Sequence, residues 1–191
     1  MSSLRERRRV RTSDNIRKSA LELVQQRGLD NVTVESISDH SGISVRTFFN
    51  YFPYKEAALL HPPVCFLPAA VETFLQSEND LIEDLIELLL PKVEEICRDR
   101  EALIMIHEIS INNPKLLALT ASAFQDFDKA IAALIARRMG LPENAERAMH
   151  IAALTSATIR VAVEKWVESS QGSVAEFITR MMRNIRTVFD L

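Results

Sequence analysis

Apolar residues recur along the chain at the spacing of α-helices. Ile16, Ala20 and Leu23 form one such stripe near the beginning, with steps of four and three residues, and similar stripes follow further along. No segment alternates apolar and polar residues over a useful length, which is the pattern of a half-buried strand. The sequence therefore predicts an all-α protein of about nine helices.

Glycine and proline mark where these helices end. The four glycines all lie between helical runs, where glycine can adopt the left-handed conformation that ends a helix. The segment His61-Pro62-Pro63 must interrupt the helical structure, because proline lacks the backbone N–H that a helix needs. We therefore predict two domains, residues 1–60 and residues 61–191. The predicted helices run from Ser13 or Asp14 to Arg27 and over about residues 34–40, 45–51, 54–60, 64–77, 80–98, 100–111, 114–139, 143–169 and 174–189, with a kink at Pro91.

Charge is distributed unevenly between the two predicted domains. Residues 1–55 carry ten Lys and Arg against six Asp and Glu, a net charge of +4. The whole chain carries −3, so the remainder carries −7. A basic end on an acidic body is the asymmetry expected when only one end meets phosphates.

Two short predicted helices in the basic domain are joined by the tight turn Ser41-Gly42-Ile43. A B-DNA major groove is ~12 Å wide, so one helix with its side chains just fits if it projects from its support. Ile37, Ile43 and Phe48 can form an internal brace that holds the second helix outward. This arrangement is typical of a helix-turn-helix that binds DNA.

The outward face of the second helix carries candidate DNA contacts. Arg46 can pair with O6 and N7 of guanine, and Asn50 can pair with N6 and N7 of adenine. Val45 and Phe49 lie on the same predicted face. Hydroxyl groups, a helix start and a cation are typical of contacts to phosphate. The residues of this second kind are Thr33, Ser44, Thr47, Tyr51 and Lys55.

A longer string around this motif resembles a family signature. It comprises Thr33-Val34-x-x-Ile37 and the run GISVRTFFNYFPYKE over residues 42–56, and upstream apolar positions fit the same spacing. Over about residues 13–60 the chain resembles the TetR family of bacterial repressors. The resemblance implies a homodimer, an operator with two-fold symmetry, and a C-terminal domain for ligand binding and dimerisation. It also assigns base reading to Val45, Arg46 and Asn50, and backbone positioning to Thr33, Ser44, Thr47, Tyr51 and Lys55.

The chain departs from the family pattern at four positions. Arg46 stands where many members have glycine, which adds a contact. Phe49 stands where tyrosine is usual, and it lacks the phenolic hydroxyl of a common phosphate contact. Ser38 and Ser41 occupy positions where alanine is common.

Residues 1–12 are rich in arginine, and we expect them to form a loose basic arm. One interpretation is a solvated, disordered tail. The other is an extension that lies along or in the minor groove and raises affinity through counterion release. The arginines that would make these contacts are Arg5, Arg7, Arg8, Arg9 and Arg11.

The last two long predicted helices, 143–169 and 174–189, resemble the family helices that pair with their symmetry mates as a four-helix bundle. The first has apolar or small residues most of the way round from Ile151 to Val163, which favours two buried faces. The alternative is that both helices only close the core of one protomer. We predict a homodimer that forms through residues 143–189.

A repressor needs a release signal, and the usual one is a small apolar molecule bound among the middle helices. Aromatic and methionine side chains could line such a pocket, and one histidine could add a polar contact. The candidates are Phe66, Phe74, Met105, Phe124, Phe127 and His107. The alternative is that these side chains only fill the core.

Several other functions are disfavoured. The sequence contains no glycine-rich phosphate loop, nucleophile elbow or zincin motif, so we expect neither an enzyme nor a cofactor. The four histidines lack ligand spacing, and Ile111 occupies the place of the second histidine after His107, so we expect no metal site. Cys65 and Cys97 are interpreted as buried apolar side chains.

Two alternatives to a repressor stay open. A helical adaptor could use its helix-turn-helix to bind protein, although it would have no need of phosphate-positioning groups beside a basic arm. An activator would make the same DNA contacts as a repressor, with or without a ligand. No apolar run resembles a signal sequence or is long enough to span a bilayer, so we expect a cytoplasmic protein without membrane partners.

Overall fold

The structure, a computed structural model, describes residues 4–60, 66–169 and 171–187, except for the side chains of Glu6 and Arg7. All regular structure within these ranges is helical, which confirms the predicted all-α fold. The α-helices are α1 (Leu4–Arg27), α2 (Val34–Ser41), α3 (Val45–Phe49), α4 (Pro68–Gln76), α5 (Leu81–Ile96), α6 (Arg100–Ile111), α7 (Pro114–Arg138), α8 (Glu146–Glu168) and α9 (Val174–Asn184). Short 3₁₀ helices cover Leu29–Asn31, Lys55–Ala58 and Ile185–Thr187.

The first helix begins at Leu4, so the predicted start at Ser13 or Asp14 is wrong. The predicted loose arm is also wrong for the described residues, because Arg8, Arg9 and Arg11 belong to α1. The reason is propensity: arginine, leucine and glutamate are favourable in helices even where no apolar stripe marks one. Ser13 and Asp14 resemble capping residues in the sequence but lie inside the helix.

Proline and short-range geometry explain the other boundary differences. α3 ends at Phe49 rather than near Tyr51, because Pro53 disfavours helical backbone in the residue before it. The helix predicted over residues 54–60 is a 3₁₀ helix of four residues. α4 begins at Pro68 rather than at residue 64, with proline at a first-turn position where its missing N–H costs nothing. The predicted break at residues 61–63 lies outside the described residues.

The chain divides into two compact units. The N-terminal unit comprises Met1–His61 with Glu101–Thr120, and the C-terminal unit comprises Pro62–Arg100 with Ala121–Leu191. The sequence-based assignment of domains to residues 1–60 and 61–191 stays a prediction. The structural units add one feature to it, since α6 and the beginning of α7 group with the N-terminal residues.

The core of the N-terminal unit forms around α1. Ile16 and Ala20 are fully buried and pack with Ile37, Phe48 and other apolar side chains of α2, α3 and the following 3₁₀ helix. Leu116, from the beginning of α7, is fully buried in the same cluster. Burying a side chain of this size stabilises the fold by about 1.5–3 kcal/mol. This core fixes the position of α3.

The C-terminal unit is built on α9, which packs against both α5 and α8. Val174, Ile178 and Met182 form the buried face of α9. A buried ion pair joins Arg138 of α7 to Asp84 of α5, and both side chains are less than 10 % exposed. Desolvated charges of this kind are stable only as a pair, since each would otherwise lie unpaired in a low-dielectric interior.

No helix in residues 4–60, 66–169 and 171–187 has both the length and the apolar character that crossing a membrane requires.

Candidate nucleic-acid interface

The turn between α2 and α3 is built from local hydrogen bonds. Thr33 caps α2: its Oγ1 accepts from the backbone N–H of Ser36 at 3.2 Å, and Ser36 Oγ accepts from the N–H of Thr33 at 3.1 Å. Gly42 ends α2 with a φ of 69°, in the left-handed region that favours glycine. The N–H of Ile43 then donates to the carbonyl of Ser38 at 2.9 Å. These bonds redirect the chain within three residues, as the sequence predicts.

α2 is held on α1 by two polar contacts. The side-chain amide of Asn15 donates to the carbonyl of Ser41 at 2.9 Å, which fixes the end of α2. His40 Nε2 lies 3.0 Å from Glu22 Oε2, and both groups are partly exposed. The turn therefore starts from a fixed support.

α3 is a short helix with one buried anchor. Ser44 caps it, accepting from the N–H of Thr47 at 3.1 Å. Phe48 is fully buried, which confirms its predicted place in the brace, and its ring lies 5.8 Å from that of Phe52. A helix of five residues is not stable alone. Cap and anchor therefore hold α3 in place.

The predicted DNA contacts are distributed around this anchor. Arg46 and Asn50 are exposed and lie one helical turn apart on the same side of the segment. Phe49 is 53 % exposed, which is unusual for a phenylalanine in a compact unit. Thr33 and Ser44 are also exposed, and the partly buried members are Val45, Thr47, Tyr51 and Lys55.

Lys55 has two partners within the N-terminal unit. Its Nζ donates to the carbonyl of Leu29 at 2.7 Å and to that of Val32 at 2.8 Å. Both carbonyls belong to the connection between α1 and α2, and an ammonium group has three hydrogens to donate. Lys55 therefore ties the segment after α3 to the segment before α2. One hydrogen of its ammonium group remains for the predicted contact to phosphate.

Two further side chains support the segment after α3, and no sequence pattern predicts either contact. Lys115 Nζ, at the beginning of α7, lies 2.9 Å from Oε1 of the buried Glu56 and 4.9 Å from the centre of the Tyr54 ring. The partners are far apart in sequence, so no local pattern could pair them. Arg17 of α1 donates to the carbonyl of Leu60 at 2.6 Å, and burial lowers the pKa of its guanidinium.

An open cleft of about 750 Å³ separates the beginning of α1 from the end of the α3 segment. Leu4, Arg5, Arg8 and Arg9 line one side. Thr47, Asn50 and Tyr51 line the other. The cleft therefore joins three arginines of α1 to three of the predicted DNA contacts. None of the described residues that line it is acidic.

Comparison with known proteins identifies this arrangement. A family model described as "Bacterial regulatory proteins, tetR family" matches residues 16–61, and one described as "MftR C-terminal domain" matches residues 91–190. The transcriptional regulator TcmR of Streptomyces glaucescens is 32% identical over 177 residues, which cover 85% of this chain and 76% of TcmR. The chain belongs to the TetR family.

Solved structures agree with this membership in fold. FadR of Thermus thermophilus, a TetR-family repressor solved with lauroyl-CoA, gives a TM-score of 0.54 at 23% identity, over 91% of this chain and 93% of FadR. FadR of Bacillus halodurans gives 0.56 at 14% identity, over the same shares of the two chains. As a member of the TetR family, the chain is a DNA-binding regulator of transcription rather than an enzyme.

The side chains predicted to bind a ligand are not brought together at a described cleft of this regulator. Phe74 is buried, and the guanidinium of Arg138 lies 4.8 Å from the centre of its ring. Phe66 and Phe127 are partly buried in the C-terminal unit, where Phe124 is exposed. Met105, partly buried, and His107, exposed, belong to the N-terminal unit. Their role as an effector site stays a prediction.

Cys97 is buried, and burial raises the pKa of its thiol to about 11, so it is an unreactive apolar side chain. Cys65 lies outside the described residues. No three His, Cys, Asp or Glu side chains among the residues described lie close enough together to hold a metal ion.

The helices of the predicted dimer interface differ in what they expose. α8 presents Met149 and Leu154 at 54% and 43% exposure, in addition to a buried face that includes Ala148 and Ala152. The outward side of α9 is polar and includes Arg180 and Arg183. Val188 and Phe189, the last apolar residues of the predicted interface, lie outside the described part of the chain.

Proposed function

We propose that this TetR-family regulator is a homodimeric repressor that binds a two-fold symmetric operator through α3. The observation that carries the proposal is the placement of Arg46 and Asn50. Arg46 is exposed on a helix whose one buried anchor is Phe48, and Asn50 is exposed directly after that helix. A cap and a glycine turn fix the helix in place. A projecting helix of this kind fits the ~12 Å major groove.

The proposed DNA contacts fall into two chemical classes, contacts to base edges and contacts to phosphates. Arg46 can donate two hydrogen bonds to guanine, and the Asn50 amide matches the donor and acceptor of adenine, so these residues read bases. Val45 and Phe49 offer apolar contact to base edges. Phosphate contacts, which set the register without reading sequence, fall to Thr33, Ser44, Thr47, Tyr51 and the remaining hydrogen of Lys55.

We propose that α8 and α9 form the dimer interface. Exposed apolar side chains on α8 support this, because a helix with two apolar sides has a second surface to bury. A symmetric pair would place the two copies of α3 about 34–36 Å apart, or a multiple of one DNA turn.

We further propose release by a small apolar ligand in the cytoplasm. The proposal is supported by a FadR protein of the same fold that was solved with lauroyl-CoA. A ligand releases DNA only if it binds more tightly to a conformation that fits the operator poorly. The candidate contacts are those predicted from the sequence, with Phe74 buried and Phe124 exposed in this structure.

DNA binding by the full chain tests the proposal. The probe is a duplex selected in vitro from a random library by the wild-type protein. We expect Arg46→Ala and Asn50→Ala each to weaken binding to this duplex by about 1–3 kcal/mol and to relax preference at one base pair per half-site.

The control is Arg137→Ala, which removes one exposed positive charge from the last turn of α7. We expect it to bind the selected duplex as the wild type does. A wild-type protein that ignores duplex DNA even at low ionic strength would contradict the proposal.

A further inference from the structure

The first turns of α1 belong to the same continuous helix as residues that lie in the core of the N-terminal unit. α1 is one helix from Leu4 to Arg27, and its residues Ile16 and Ala20 are fully buried. Ile16 lies twelve positions after Leu4, a distance of about 18 Å along the helix at 1.5 Å per residue. The arginines before Ile16 therefore have fixed directions relative to α3, which rests on the same core.

Helical geometry divides these arginines into two groups. Successive residues are rotated by about 100°, so Arg5, Arg8 and Arg9 share one face within an arc of about 100°. Arg11 points about 110° away from the middle of that arc. The structure agrees: Arg5, Arg8 and Arg9 line the cleft, and Arg11 is exposed outside it. In a loose arm, all of them would be equivalent.

The opposite side of the cleft carries groups that face the DNA in the proposed function. Asn50 is placed to read a base, and Thr47 and Tyr51 are placed to hold phosphates beside the major groove. A phosphate strand that borders this groove would therefore lie close to the arginine face. No described acidic residue lines the cleft, so the three cations would attract an anionic partner such as phosphate.

We propose that the face formed by Arg5, Arg8 and Arg9 binds the DNA phosphates that border the groove entered by α3. This inference rests on the proposed function and deepens it. A helix with its side chains is about 10–12 Å across and cannot enter a minor groove about 6 Å wide. The arginine face therefore adds affinity that is independent of base sequence, and it does not read the minor groove.

The test measures binding at several salt concentrations for the wild type, R5Q/R8Q/R9Q, R8Q and R11Q. Glutamine has nearly the same helix propensity as arginine, and circular dichroism checks that α1 persists. Two probes are used: the selected duplex and a random-sequence duplex of equal length. Each lost phosphate contact makes the negative slope of log K against log salt shallower by about 0.9. For the triple variant we therefore expect a slope that is shallower by about 2.7 per protomer.

The single variants make the comparison sharper. R8Q and R11Q each remove one charge from the same helix, and we expect a slope change of about 0.9 per protomer for R8Q and none for R11Q. The triple variant loses affinity by the same factor on both probes, because phosphates do not carry sequence.

Three outcomes would overturn this inference while leaving the proposed function intact: an unchanged slope in the triple variant, a loss confined to the selected duplex, or equal effects of R8Q and R11Q. Wild-type protein that binds neither probe would overturn the proposed function, and this inference with it.

Discussion

α3 and α8 present their side chains in opposite ways. α3 has five residues and buries Phe48, while Arg46, Phe49 and the following Asn50 are exposed. α8 has 23 residues, buries a continuous face and exposes scattered apolar side chains on the other. The proposed function of α3 therefore depends on individual side chains, whereas that of α8 depends on the apolar area that it exposes.

The comparison also explains why the N-terminal unit points to a partner more clearly than the C-terminal unit does. B-DNA has fixed groove dimensions and repeating phosphates, so a protein that binds it needs particular groups at particular spacings. A small apolar ligand or a second helix only requires apolar surface, which any helical core also has.

The largest expected effect tests the anchor of α3. Phe48→Ala removes a fully buried ring and lowers the free energy of unfolding by about 3–5 kcal/mol, measured by urea denaturation. The neighbouring Phe49→Ala lowers it by about 1 kcal/mol, because that ring is 53 % exposed and makes one edge-to-face contact with Phe48. Similar losses for the two variants would contradict the single-anchor description of α3.

The next prediction concerns α8 and the proposed dimer. Leu154→Arg places one charge from each protomer in the apolar surface, which weakens the dimer by about 3 kcal/mol. Light scattering measures the mass of the variant as a function of concentration. Arg137→Ala, which changes an exposed residue in the last turn of α7 outside the proposed interface, serves as control. A Leu154→Arg protein that dimerises like the wild type would place the interface elsewhere.

A smaller effect separates the two roles of Lys55. Lys55→Met keeps the apolar stem but removes the hydrogen bonds to the carbonyls of Leu29 and Val32, and we expect unfolding to become easier by about 1.5–3 kcal/mol. The control Lys18→Met removes an exposed charge from α1 and should have almost no effect on stability. If Lys55→Met left the free energy of unfolding unchanged and made the slope of log K for DNA against log salt shallower by about 0.9, Lys55 would be a phosphate contact alone.

The sequence predicted the parts of the fold that depend on neighbouring residues. Thr33 and Ser44 act as caps, and Gly42 ends α2, because each signal and its structural consequence lie within four residues. The beginning of α1 was missed, because arginine-rich turns without an apolar stripe can extend an existing helix through their helix propensity.

Contacts between distant parts of the chain could not be predicted. The carbonyl partners of Lys55 lie more than 20 residues before it, and the ion pair of Glu56 with Lys115 joins α7 to the segment after α3. Such pairs depend on how helices pack, which no periodicity reports. The arginine face of α1 likewise became visible only when the helix fixed the directions of Arg5, Arg8 and Arg9.

The most direct test of base reading by α3 is protection of guanine N7 from methylation by dimethyl sulfate, on the selected duplex. N7 lies in the major groove and is one of the two atoms that Arg46 would contact. We expect wild-type protein to protect one guanine N7 per half-site, and Arg46→Ala to lose that protection while retaining weaker binding. Protection that persists in Arg46→Ala, or a bound duplex without any protected N7, would contradict the account.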